Sequence, residues 1–316
     1  MNKFVPKDLT RRMVFSKKAS FFDLLGKFVP IDMGLKLGLR KAVELSQGWD
    51  DPLPPEVRSN WVKNFWRMER LQGIKFKRAR IALDAVSTKM DIIVGGDAAD
   101  ETKVTAAWGR FRLKNGKFSS QNLIGRGLLA NSTIPKNELE ALTMSSNLCW
   151  ILRQALEKWI SGYIVIGDST ISLCWVTSEK KRLSLFHRNR TVQIRRGVEL
   201  ENLYHVISEA NPTDIATRPD LVKDEDVGPD SIWEKGLPWM NGEINDAVKA
   251  GILTPASELR LNEEEDEDFR QGVIIEKTSE ILTRGHPAIL VTSRVENVLS
   301  RAEFSNYVLD PNKFKF

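Results

Sequence analysis

The sequence predicts a mixed α/β protein: a five-stranded sheet with flanking helices, preceded by a mainly helical N-terminal segment. Three observations predict it. Residues 1–90 place apolar side chains at helical spacing between Pro-rich breaks. From Met90 the pattern becomes strand, strand, strand, helix, strand, helices, strand, helix, with two hairpin turns among the first three strands. The apolar run Tyr163 to Ile166 ends on Gly167-Asp168 and reads as a buried strand inside the sheet.

In the helical part, Ser16 to Gly26 carries apolar residues at helical spacing and ends on Gly, a usual helix stop. Pro30 opens a second segment, with Met33, Leu35, Leu37, Leu39 and Val43 available for one apolar face. Gly48-Trp-Asp-Asp-Pro-Leu-Pro-Pro55 is a turn cluster, because Pro removes backbone donors and restricts the residue before it. Glu56 to Leu71 fits a third helix with Val57, Trp61, Phe65 and Met68 on one stripe. That spacing favours a core role for Trp61 and Trp66 over stacking on bases. Lys75-Phe-Lys-Arg-Ala-Arg80 follows as an extended basic stretch; Lys75, Lys77, Arg78 and Arg80 are candidates to track a phosphate backbone.

Strands are then expected at Met90–Asp97, Val104–Leu113 and Phe118–Leu129, with turns at Asp100-Glu-Thr and Lys114-Asn-Gly-Lys117. Asn-Gly is the strongest short hairpin signal. Pro135 sits at the start of a long helix running to about Trp159, as a first-turn proline should. Gly162 breaks it before the strand at Tyr163. A basic amphipathic helix is expected over Lys181 to Arg196, with Lys181, Arg188, Arg190 and Arg195 as phosphate-gripping candidates. Leu203–Ser208 is the fifth strand, and Asn211-Pro-Thr-Asp214 turns into one last helical turn.

Net charge is +5, unevenly spread. Lys and Arg outnumber Asp and Glu by 19 to 9 over residues 1–90 and are outnumbered 11 to 20 over residues 220–316. A basic front half favours a polyanionic partner, nucleic acid first. No apolar run approaches the roughly 18 residues of a membrane helix, and the N-terminus lacks the apolar core of a signal peptide. The expected location is intracellular, cytoplasmic or nuclear, with no membrane partner. Cys149 and Cys174 lie in apolar helical contexts and read as small core residues in a reducing compartment. The acidic run Glu263–Asp268 reads as a solvated linker.

Four carboxylates have comparable addresses. Asp97 ends the first strand, Glu138 lies in the first turn of the long helix, Asp168 ends the fourth strand, and Asp214 starts the last short helix. Each has an ordinary reading alone, as a turn cap, an acid at the positive end of a helix, or an N-cap. If the sheet closes in that order, all four converge on one edge. Such a cluster is costly without cations, and all-oxygen ligation suits Mg²⁺ or Mn²⁺. Glu140 competes with Glu138, but the two point about 200° apart around a helix, so only one can face the site. The Pro135 spacing favours Glu138. Ser169 and Thr170 read as helix caps, because no Asp-x-x-His follows to supply a base for a serine nucleophile. His205 is expected to be a buried or cross-strand residue, and His187 to face a phosphate or solvent.

Asp97-Ala, Ile134-Pro-Lys-Asn-Glu138-Leu, Gly167-Asp168-Ser-Thr-Ile and Ala210-Asn-Pro-Thr-Asp214-Ile-Ala-Thr-Arg218 resemble the four blocks of ribonuclease H in BEL/Pao-class retrotransposons. Ala19–Gly26 and Gly48–Pro54 resemble the segment joining polymerase to nuclease in those polyproteins, and Ser231–Trp239 the region after the nuclease. The chain departs from the usual pattern at Gly95-Gly96, Ala99 and Asp100. The resemblance implies a helical connection or thumb-like segment over 1–86, a ribonuclease H-like domain over 87–222, and a C-terminal extension with an acidic linker over 223–316. It implies a polyprotein fragment or a gene derived from one, with other parts of the polyprotein as possible partners. It also implies two Mg²⁺ or Mn²⁺ ions held by Asp97, Glu138, Asp168 and Asp214, and hydrolytic cleavage of the RNA strand of an RNA–DNA hybrid. The alternative is a non-catalytic nucleic-acid-binding or interaction protein derived from the same element. No Tyr-x-Asp-Asp polymerase motif, Asp-Ser/Thr-Gly protease triplet or His/Cys zinc segment occurs.

Overall fold

The structure, a computed structural model, describes residues 8–46, 48–77, 81–178, 183–261 and 269–270. Its sheet begins with β1 (Met90–Ala98), β2 (Thr102–Arg112) and β3 (Phe118–Leu129), an antiparallel meander. The second hairpin turns on Gly116 at φ +82°, a left-handed conformation that Asn-Gly supplies cheaply. The 22-residue helix α4 (Ile134–Ala155) crosses back, and β4 (Ile160–Gly167) then joins β1 in parallel. Next come α5 (Thr170–Thr177), α6 (Leu185–Gly197) and β5 (Leu203–Val206), which pairs in parallel with β4. The first five strands therefore lie in the order 3-2-1-4-5 of a ribonuclease H-like sheet.

A sixth strand was not expected. After the short helices α7 (Asp214–Thr217), α8 (Ile232–Lys235) and α9 (Ile244–Lys249), the three residues of β6 (Leu253–Pro255) add antiparallel to β5. The sheet is mixed and six-stranded, not five-stranded.

Its inner strands alternate apolar side chains to both faces, as strands covered on two sides do. Ile92, Val94, Ala107 and Val165 face α4, α5 and α6, where they meet Leu139, Leu142, Leu173, Trp175 and Ile194. Ile93, Ala106, Trp108, Ile164 and Ile166 face the other way and are covered by Trp233, Met240, Val29 and Met33. The helical segment supplies part of that second cover, through Val29 and Met33 of its second helix. It consists of α1 (Arg11–Ala19), α2 (Val29–Leu45) and α3 (Pro55–Leu71), with a cluster of its own around Leu35, Val57, Trp61 and Phe65. Trp61 is wholly buried and donates to the Gly38 carbonyl at 3.2 Å, so its sequence reading as a core residue holds.

Three local expectations change. The first helix lies at Arg11–Ala19, not Ser16–Gly26, and residues 20–26 form turns. Gly26, read as a helix stop, has φ +66°, and a Cβ there would lie 2.0 Å from the Gly125 carbonyl oxygen. Its role is close approach to an edge strand. The basic helix α6 starts at Leu185 instead of Lys181; Lys181, like Arg78 and Arg80, lies outside the described residues. So does the acidic run Glu263–Asp268.

The N-terminal segment and the residues after β5 meet across β3. Trp233 Nε1 donates to the Gly26 carbonyl at 2.9 Å, while Trp108 Nε1 donates to the Trp233 carbonyl at 3.1 Å. Beside them the buried Lys27 ammonium sits 2.5 Å from Glu234 Oε2, whose other oxygen accepts from Gln121 at 3.0 Å. Removing one member of such a pair strands the other as a buried charge. Lys27→Met should therefore destabilise the fold by about 3–5 kcal/mol, whereas Lys27→Met with Glu234→Leu should recover most of the loss. Urea-unfolding midpoints of the two variants measure both.

Candidate active site

The C-terminal edge of the parallel strands is where an open α/β sheet places its sites. In register, Gly96 of β1 pairs with Gly167 of β4, and Gly167 with His205 of β5. The residues that follow the first pair, Asp97 and Asp168, thus leave neighbouring strands side by side. α4 lies unusually close above them. A Cβ on Gly96 would meet Ser145 Oγ at 2.3 Å and the Ala141 carbonyl oxygen at 2.9 Å. The glycine that departs from the usual strand pattern is what lets the helix backbone approach.

That approach brings Glu138 to the edge. It is the fifth residue of α4, just past the first turn in which it was expected. Ser169 Oγ donates to Glu138 Oε2 at 2.6 Å and also caps α5 by accepting from Ser172 N at 3.2 Å. Asp97, Glu138, Asp168 and Ser169 line one cavity of about 10 Å³, roughly the room of a single water-sized sphere. Glu140 points elsewhere: it bonds Lys103 and accepts from Arg190 at 3.1 Å. Burial alone would raise its pKa, but Lys103 and Arg190 hold it below the ordinary value.

Asp214 stands apart from this cavity. It begins α7, lines a neighbouring cleft, and pairs with Arg218 one turn on, at 2.7 Å. It is still close enough to repel the others. Asp97 is held well above the usual carboxylate range, chiefly by burial and then by the charges of Asp168 and Asp214, against a hydrogen bond from Thr217 Oγ1. Burial also raises Asp168, with Asp214 adding to it and a hydrogen bond from Asn211 opposing it. Asp214 is raised by burial, with Arg218 opposing.

The donor set fits a hard divalent cation. It is all carboxylate oxygen, partly desolvated and mutually repelling, the arrangement that such a cation relieves. As they stand, no three Asp, Glu, His or Cys side chains among the described residues close on one point as a finished metal site.

The model of the Pao retrotransposon-like RNaseH-like domain matches residues 10–169. The chain belongs to this family. The matched stretch holds Asp97, Glu138 and Asp168 of this Pao-type chain, and Asp214 lies beyond it. Among solved structures, the chain is similar to the crystal structure of RNase H1 from the halophilic archaeon Halobacterium salinarum NRC-1. That similarity has 16% identity and a TM-score of 0.27, over 39% of this chain and 89% of that one. No curated protein matches the chain.

Several side chains around the site of this Pao-type domain were not singled out from sequence. Thr217 bonds Asp97 and accepts, through its carbonyl, from Thr102 Oγ1 at 2.7 Å. Asn211 Nδ2 reaches the Gly96 carbonyl at 3.3 Å. Both belong to the block carrying Asp214, which was the available signal. His205 is half-buried, with Nε2 3.1 Å from the Asp168 carbonyl oxygen. His187 corrects the expectation of an exposed or phosphate-facing ring: it is buried, bonds Ser184 Oγ at 2.6 Å and packs 4.3 Å from Trp175. Burial, then Lys136 and Arg190, push its pKa down to about 4. Of the phosphate-gripping candidates, Arg195 gives donors to the carbonyls of Val176 and Ser178, and Arg190 lies over Phe186 as well as on Glu140. Lys75, Lys77 and Arg188 are exposed.

A carboxyl with a folded pKa above its unfolded value binds its proton more tightly when folded, so stability falls as pH rises from the unfolded value through the folded one. Without divalent cations, the protein should lose stability from about pH 4 to 8 because of Asp97. Asp97→Asn should flatten that slope and raise Tm at pH 7.5 by at least about 2–4 °C, the shift that roughly 1 kcal/mol gives a chain of this size. Thermal melts in EDTA test both, and added Mg²⁺ should raise the Tm of the unsubstituted protein but not of the variant.

Proposed function

We propose that the protein is a metal-dependent endonuclease that cleaves the RNA strand of RNA–DNA hybrids. The observation that carries this reading is the meeting of Asp97, Glu138 and Asp168 around one cavity at the strand edge, with Asp214 beside it. Asp97, Glu138, Asp168 and Asp214 would hold two Mg²⁺ or Mn²⁺ ions, which supply Lewis-acid activation and charge neutralisation at a phosphodiester.

The chain's own groups prepare the acids for that task. Ser169 fixes Glu138, and Thr217 fixes one oxygen of Asp97. His205 holds the backbone of Asp168, while Asn211 bridges toward the β1 terminus. The Glu138 and Asp97 carboxylates are thereby oriented before any ligand arrives, which lowers the reorganisation needed at the reacting phosphate. Exposed Lys75, Lys77 and Arg188 would meet phosphates, and 2′-hydroxyls would mark the RNA strand across the minor groove.

A second reading, a nucleic-acid binder that no longer cleaves, is favoured by one observation: Arg218 occupies the carboxylate of Asp214. Incubation of purified protein with end-labelled hybrid and Mg²⁺ separates the two. The nuclease reading expects cleavage that falls by at least about 10²-fold in Asp168→Asn, the scale of losing one preorganised electrostatic group, with hybrid binding retained. Undiminished cutting by that variant would refute the site assignment. Binding without any cleavage by the unsubstituted protein would select the second reading.

A further inference from the structure

Away from the acid cluster, α2, α3 and the loop 219–224 enclose a polar groove of about 510 Å³. Two stripes line it. On α3, Asn60, Lys63, Asn64 and Arg67 fall at successive i, i+3, i+4 and i+7 positions, so one helix face presents only amides and cations. On α2 the corresponding stripe is Gly34, Leu37, Gly38 and Lys41. The glycines hold the walls close: a Cβ on Gly34 would lie 3.5 Å from Pro219, and one on Gly38 would lie 3.3 Å from the Trp61 ring.

The charge in this groove leans positive: Lys41, Lys63, Arg67, Arg70 and Lys223 line it with the acids Glu101, Asp220 and Asp224. Arg67 and Arg70 share Asp224, at 2.9 and 2.6 Å, and Glu101 pairs with Arg40. Lys41 and Lys63 are exposed and have no carboxylate within salt-bridge distance among the described residues. The groove therefore offers unspent donors and positive charge, the complement of a phosphate-bearing strand.

Its position links it to the acids. Thr217 bonds Asp97, and Pro219, two residues on, already lines the groove; two residues span at most about 7 Å of chain. We infer that this groove binds the sugar-phosphate backbone of a nucleic acid whose reacting phosphate lies at Asp97 and Asp168, with Lys41 and Lys63 as the groups that touch it. The inference rests on the nuclease reading for the direction of the strand, but its own test is binding.

Hybrid binding is measured by fluorescence anisotropy in EDTA over a range of salt concentrations. For Lys41→Gln with Lys63→Gln, the slope of log affinity against log salt should become shallower by about one for each phosphate left unneutralised. Lys41→Arg with Lys63→Arg should keep the slope, as should the control Lys117→Gln with Lys158→Gln on exposed lysines elsewhere. An unchanged slope in the first pair overturns the groove even if the protein binds and cuts hybrid. An equal loss in the control pair also overturns it, since bulk charge would then explain the effect. If the unsubstituted protein binds without cutting and the slope still falls as expected, the groove stands and the nuclease reading falls. If it binds no hybrid, both fall.

Discussion

The site depends on one close approach, that of the α4 backbone to β1 at Gly96. With no side chain between them, Ala141 and Ser145 rest against the strand, and the start of the helix is set over its end. Glu138 then lies opposite Asp97 and Asp168, while Glu140, two residues further on, turns to Lys103 and Arg190. The same geometry takes the acids out of water. Their charges are raised in energy by burial and by one another, a cost that a domain of ordinary marginal stability can carry only because the rest of the sheet is well packed on both faces. The hydrogen bonds from Ser169, Thr217 and Asn211 offset part of it.

The two faces of the sheet are covered by different means. On one side the chain uses its own crossover helices α4, α5 and α6, a local solution. On the other it draws on distant segments, α2 before the sheet and Trp233 and Met240 after it. The second cover is held by directional bonds as well as apolar packing, through Trp233 to Gly26 and Lys27 to Glu234. A buried ion pair adds little net stability over an apolar pair of similar shape. What it adds here is a fixed register between two segments more than 200 residues apart in sequence.

Much of this is legible in the residues. β1 can be read closely because it is a run of apolar and β-branched residues ending in Gly, the pattern of a strand buried on both faces. β3 can be too, because the Asn-Gly turn marks its start. β4 begins at Ile160, before the Gly162 that reads as a break. β6 cannot be read, because three residues ending in Pro carry no period and exist as a strand only by pairing with β5. The burial of His187 is equally hidden: it sits in a helix rich in arginine, and the groups that bury it, Trp175 and Phe186, are not marked by spacing. The pairing of Asp214 with Arg218 is visible as an i, i+4 spacing inside its block, yet the acid's resemblance to its family position points instead to a metal ligand. Local order shows in sequence; side-chain partners across the fold do not.

The junction of Gly26, Lys27, Trp233 and Glu234 bears on how such a domain could be inherited or released. Boundaries drawn at the ends of the strands would strip one face of the sheet, exposing Trp108, Ile164 and Ile166 to water. A protease that nicked the chain between the helical segment and β1 would not free two independent pieces, because their interface would persist without the peptide link. Recombination that exchanged the sheet alone would have to bring matching partners for Trp233 and Glu234. The smallest portable unit is therefore defined by what covers the sheet, not by what forms it.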